Sequence, residues 1–81
     1  MIGEINKILN ARLNPTCRQR EMMVTCKKIT GKQTSPIVWV TISAPDPLPH
    51  DATQALLQVI QLLLRQHLNK PNLNVEIVGN N

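Results

Sequence analysis

Aromatic side chains are almost absent from this sequence: it has one Trp and neither Phe nor Tyr. That excludes a multi-aromatic platform for stacked bases and an aromatic cage for cationic groups, and it makes the core aliphatic. Glycine is nearly as scarce. Gly3, Gly31 and Gly79 stand alone, so there is no glycine-rich loop to cradle a phosphate. Cys17 and Cys26 are the only cysteines and His50 and His67 the only histidines, and the four are scattered along the chain. Metal sites need such ligands at tight spacing, so neither a metal nor another cofactor is expected. Two cysteines also fall short of the disulfide framework of a small secreted domain, and the expectation is two reduced thiols in the cytoplasm. No apolar run is long enough to span a membrane. The opening MIGEINKILNARLN is too polar for the apolar stretch of a signal peptide and lacks the Trp or Phe of an interfacial anchor.

What is present is a short, folding chain. Its 81 residues are 42% hydrophobic and 17% charged, which describes one small domain, residues 1–81, with a thin stability margin. Ile2, Ile5, Ile8, Leu9 and Leu13 recur at helical spacing, and Asn14-Pro15 is expected to close that helix. Residues 21–30 read as a strand, with Met22, Val24 and Cys26 on one face and Met23, Thr25 and Lys27 on the other. Gly31 to Ser35 reads as a five-residue hairpin connection. Residues 37–43 form the clearest strand: Val38, Val40 and Ile42 share one face, Ile37, Trp39 and Thr41 the other, and neither face is strongly polar. The proline-rich segment 44–49 is a stiff connector. Asp51 then has the place of a helix N-cap, with Gln54 completing a capping box. The helix runs from about Ala52 to Leu68, with Asn69 as left-handed cap and Pro71 as stop, and residues 73–78 alternate as a third strand. The expected fold is a two-layer α+β domain of order α-β-β-α-β. Its three-stranded sheet is covered by the long helix, with the short N-terminal helix beside it, and a right-handed crossover makes strands two and three parallel.

The long helix is the most informative element. Gln54, Gln58, Gln61 and Arg65 fall in one narrow stripe, and almost everything else on it is apolar. A surface helix has an apolar stripe of a little over 100°, whereas this arc spans roughly 200° on the same wheel. One sheet covers only part of such an arc. The flank formed by Leu57, Leu64 and Leu68, together with Trp39 on the outer sheet face, is therefore a candidate for self-association as a homodimer.

Candidates for chemistry are few. Ser43, His50 and Asp51 supply the residue types of a triad, but adjacency in sequence does not make one. Cys26 alternates with Met22 and Val24 and reads as a small buried hydrophobe rather than a nucleophile. With nine Lys/Arg against five Asp/Glu the formal net charge is +4. Arg18, Arg20, Lys27, Lys28 and Lys32 are the candidate contacts if the partner is RNA, with Trp39 available to stack a base.

Pro36 to Ile42, a long helix, then Val75 to Val78 resemble the β-α-β unit of the 4-oxalocrotonate tautomerase family, which implies an oligomerising scaffold. That family's base is a proline with a free amine. Pro36 is internal, its nitrogen is an amide, and the catalytic role does not carry over. The element order also resembles the type II KH-like fold of ribosome-associated RNA-binding factors, but the Gly-x-x-Gly loop that clamps RNA in many KH domains is missing. The leading expectation is a small non-enzymatic, self-associating binding module, and the alternative is a basic RNA-binding accessory factor.

Overall fold

The structure, a computed structural model, describes residues 1–80. The chain opens with helix α1, Ile2–Arg12, followed at once by a single helical turn, α2, Asn14–Cys17, and a 3-10 turn, Arg18–Arg20. Asn14-Pro15 therefore does not end the helical segment. Proline lacks a donor and has its φ fixed, so it fits the first turn of a helix, and here it starts a new one after a break at Leu13. Glu21 turns the chain with φ 58°, and strand β1 follows at Met23–Lys32.

Strand β2, Ser35–Ser43, pairs antiparallel with β1. Only Gln33 and Thr34 lie between the strands, so the five-residue connection contracts to a two-residue turn. Gly31, paired with Pro36 just before this turn, has no room for a side chain. Its φ is +83°, and a Cβ there would stand 3.0 Å from the Ser35 carbonyl oxygen. The pairing slips once. Cys26 lies opposite Val40 and Lys28 opposite Trp39, which leaves Lys27 as the extra residue of a bulge. Trp39 consequently faces Lys28, and not the Thr25 or Lys27 that unbroken alternation predicts.

After the Ala44–Pro49 connector, helix α3 spans His50–Leu68. Its N-cap is Pro49, without a side-chain cap bond, so Asp51 sits inside the first turn and does not cap it. At that end the Thr53 hydroxyl donates to the Pro49 carbonyl at 3.1 Å. Asn69 adopts the left-handed C-cap with φ 53°. Strand β3, Asn74–Asn80, then pairs parallel with β2, giving a mixed sheet of order β1-β2-β3.

The result is an α+β fold with one core. Val24, Cys26, Val38, Val40, Ile42 and Val75 of the sheet meet Ile5 and Leu9 of α1 and Ile60 and Leu64 of α3. Cys17 joins them at 5% exposure, beside Cys26 at 3%, so it is not the open connector residue its place after Pro15 suggests. Both thiols are free.

Both edges of the sheet are occupied by side chains. On β1, the Asn14 amide donates to the Val24 carbonyl at 3.0 Å while its oxygen accepts the Val24 N–H at 2.9 Å. Asn6 does the same for Cys26, at 3.2 and 2.7 Å. Asn10 accepts the second Asn14 amide proton at 2.7 Å. One face of the N-terminal helices thus imitates a neighbouring strand and satisfies edge groups that otherwise invite another chain. On β3, the Gln61 side-chain oxygen accepts the Val75 N–H at 3.1 Å, and the Arg65 Nε donates to the Leu73 carbonyl at 2.7 Å.

Candidate interaction surface

The rotation of α3 about its axis decides which of its apolar residues reach solvent. Ile60 and Leu64 are fully buried and define the inward direction. At about 100° per residue, Leu62 lies roughly opposite their midpoint. Leu62 is 63% exposed and Val59 49%. Ala52 and Ala55, also exposed, complete a short apolar stripe on this side of the helix, bordered by the exposed Asp51, Gln58 and Gln66. Burying a leucine removes about 1.5–3 kcal/mol of unfavourable contact with water, and Leu62 forgoes most of it here.

The glutamine stripe explains this rotation. Its first half, Gln54 and Gln58, is exposed, and its second half is not. Gln61 and Arg65 are half-buried and hold the chain at residues 73–75 through the bonds described above, with Arg65 Nη2 also 3.3 Å from the Asn74 side-chain oxygen. Gln61 and Arg65 are committed to the flank beside β3, and Val59 and Leu62 are left on the side facing water, among the exposed Gln58 and Gln66.

Next to the stripe runs a groove of about 330 Å³, lined by Met22, Leu48, Ala52, Ala55, Leu56 and Val59. Among the described residues Arg20 is the one charged residue in its lining. The Ala44–Pro49 connector places Leu48 there, half-buried against the core.

The residues first singled out for self-association are dispersed. Leu64 belongs to the core, and Leu57 and Leu68 are partly buried against it, so that flank of α3 faces inward. Trp39 is half-buried on the opposite face of the sheet. There its indole N–H donates to the Thr30 hydroxyl at 2.7 Å, and the Lys28 ammonium lies 4.9 Å from the ring centroid, a cation–π contact. Helical spacing puts Ala52, Ala55 and Val59 at the centre of the apolar arc and Leu62 on its other flank, whereas the structure exposes all four. The signal that accounts for this is the second half of the polar stripe, once Gln61 and Arg65 are read as a tether and not as the wet face.

The basic residues do not converge either. Arg20 lines the groove beside α3, Lys28 covers Trp39 on the other face, and Lys32 lies at the hairpin beside Gln33. Arg18 sits in the 3-10 turn that precedes β1, and Lys27 is the bulged residue. Arg20 and Lys32 flank the two ends of β1, a ten-residue strand that spans roughly 30 Å at the usual rise per residue.

The groups with catalytic potential are similarly separated. Ser43 is exposed at the end of β2, His50 and Asp51 are exposed in the first turn of α3, and no hydrogen bond among the described residues joins them. The Cys26 Sγ approaches the Lys28 carbonyl oxygen at 3.8 Å. Burial pushes both thiols above their ordinary pKa, away from the thiolate that a nucleophile needs. Among the described residues no three His, Cys, Asp or Glu side chains are grouped to hold a metal ion. No helix among them is long and apolar enough to cross a membrane.

The fold is α+β, with a mixed three-stranded sheet, a long helix and a short N-terminal helix. Comparison with known protein families, with curated proteins and with solved structures finds no match.

Proposed function

We propose that the chain is a non-catalytic binding module that works as a homodimer, and that two copies meet on the outer stripe of α3. The observation that carries this reading is the stripe itself: an uncharged row with Leu62 63% exposed, on a small domain whose own core is already closed. A second copy removes that row from water and enlarges a thin core at the same time. The formal net charge of +4 is not concentrated on the row: Ala52, Ala55, Val59 and Leu62 are neutral, with Asp51 and Arg20 at its edge. The non-catalytic part of the reading is supported by the separation of Ser43, His50 and Asp51 and by the burial of Cys26. Free, buried thiols suit a reducing compartment such as the cytoplasm.

Light scattering at micromolar concentration tests the proposal. The wild-type chain is expected at about twice 9.1 kDa. Leu62→Glu should run as a monomer with an unchanged far-UV circular dichroism spectrum, whereas Trp39→Glu should remain a dimer. A wild-type monomer overturns the reading. A dimer that Trp39→Glu dissociates and Leu62→Glu does not moves the contact to the outer face of the sheet.

A further inference from the structure

The strand register defines a second surface, on the face of the sheet away from the core. Lys28 lies opposite Trp39, Thr30 opposite Ile37 and Lys32 opposite Ser35, while Glu76 of β3 pairs with Trp39 from the other side. Paired residues share a face of a sheet. None of these seven is buried, whereas Val38, Val40 and Val75 on the opposite face are. The chemistry of this face changes from edge to edge. The chain's one aromatic ring occupies the middle strand, two lysines the β1 side and a carboxylate the β3 side. Lys70 adds an ammonium at the hairpin end, where it donates to the Gln33 carbonyl at 3.0 Å. Thr25, Thr30, Ser35 and Thr41 supply hydroxyls. The Trp39 ring is fixed by its indole bond to Thr30 at 2.7 Å, and the Lys28 ammonium lies 4.9 Å from its centroid. An exposed cation–π contact is weak and a lysine side chain is flexible, so a planar ring that stacks on Trp39 displaces it.

We propose that this face binds single-stranded RNA, with one base stacked on Trp39, phosphates held on the β1 side by Lys28 and Lys32, and the hydrogen-bonding edge of the base turned to Glu76. Each group answers to a different part of the ligand. Every base has a π face for the ring. The ammonium groups neutralise phosphates, and the one carboxylate stands across the ring from them, where the base edge and not the backbone lies. A carboxylate accepts from an amino group, which cytosine offers and uracil does not. The hydroxyls meet 2′-hydroxyls, which DNA lacks. This face is separate from the outer stripe of α3, so the proposal does not rest on the homodimer reading.

Trp39 is the chain's one tryptophan, so its fluorescence reports on this face directly. The wild-type protein is titrated with oligo(rC), oligo(rU) and oligo(dC) at low and at physiological salt. Oligo(rC) is expected to quench the emission and to bind at least about fivefold tighter than oligo(rU). It should also bind tighter than oligo(dC). A variant carrying Lys28→Gln and Lys32→Gln should bind every sequence more weakly, with the log–log salt slope reduced by about 1.4, at roughly 0.7 per phosphate contact. Glu76→Ala should abolish the preference for cytosine without weakening oligo(rU). Trp39→Leu, checked for fold by circular dichroism and followed with a labelled oligonucleotide, should bind at least about fivefold more weakly. No quenching by any oligonucleotide, or binding that the double lysine variant leaves unchanged, overturns the proposal. Equal binding of oligo(rC) and oligo(dC) overturns the assignment to RNA, and equal binding of oligo(rC) and oligo(rU) overturns the role of Glu76. A chain that scatters as a monomer yet binds oligo(rC) removes the homodimer reading and leaves this one.

Discussion

Ile60 and Leu64 on one side of α3 and Val59 and Leu62 on the other are nearly interchangeable as chemistry, yet the first pair is fully buried and the second is about half exposed or more. Hydrophobicity did not choose between these faces. The arc is wide enough that several rotations of the helix would bury a comparable amount of apolar surface. What selects one is a small number of hydrogen bonds on the flank: Gln61 to the Val75 N–H and Arg65 to the Leu73 carbonyl. Apolar surface thus supplies most of the driving force for docking this helix, and polar groups set its angle. The inner face serves the fold, and the outer one is free for a partner.

The largest expected effect tests that contrast directly. Leu64→Ala should lower the unfolding free energy by about 2–5 kcal/mol, from lost burial and the cavity left behind. Leu62→Ala, measured under dilute conditions where the chain is monomeric, should change it by no more than about 0.5 kcal/mol. Urea denaturation followed by circular dichroism measures both. Equal losses would mean that the two faces are not divided as described.

An intermediate effect is expected at the β1 edge. Asn14 is fully buried and bonds both backbone groups of Val24, so Asn14→Ala leaves a buried donor and acceptor unpaired. Each such group costs about 1–3 kcal/mol. Asn6→Ala acts on a half-buried site, where water replaces part of the loss, and should cost less. The same denaturation experiment ranks the two variants, and an Asn6 effect larger than that of Asn14 would contradict the assignment.

The smallest effect is a pH dependence. Burial raises both thiols, so the folded chain keeps protons that the unfolded chain loses first. Their contribution to stability is complete below the unfolded thiol's pKa and declines as pH rises from there through the folded values. Unfolding midpoints should fall over that alkaline range, and the part of the fall that Cys17→Ala removes belongs to that thiol. In native protein at neutral pH a thiol-specific reagent should label Cys17 as slowly as Cys26. Rapid labelling of Cys17 would place it outside the core.

The element order was legible in the sequence because each element carries a period that competes with nothing else: β-branched alternation at residues 37–43, helical spacing at 52–68, three prolines between them. Turn and cap details were less legible. By composition Gly31 belongs to a loop, whereas in the structure it lies in the strand ladder opposite Pro36 with φ +83°, a property that composition does not register. Asp51 has the chemistry of a cap, but Pro49 precedes it and begins the helix earlier. The bulge at Lys27 leaves no compositional trace, yet it decides that Lys28 meets Trp39. For the candidate surface, the wide apolar arc pointed to an unpartnered flank but not to which flank. That choice lies in contacts between Gln61, Arg65 and residues 73–75, which are distant pairings that helical periodicity cannot register.

The asparagines on β1 also set a timescale. The amide protons of Val24 and Cys26 point away from β2, the direction in which the amides of a strand at the border of a sheet normally meet solvent and exchange with deuterium quickly. Here each is held by a side chain from the N-terminal helices, so exchange must wait until those helices lift away. These two amides therefore report the opening of the N-terminal segment as a unit, and their protection should follow the coherence of α1 and α2 more closely than the pairing of β1 with β2.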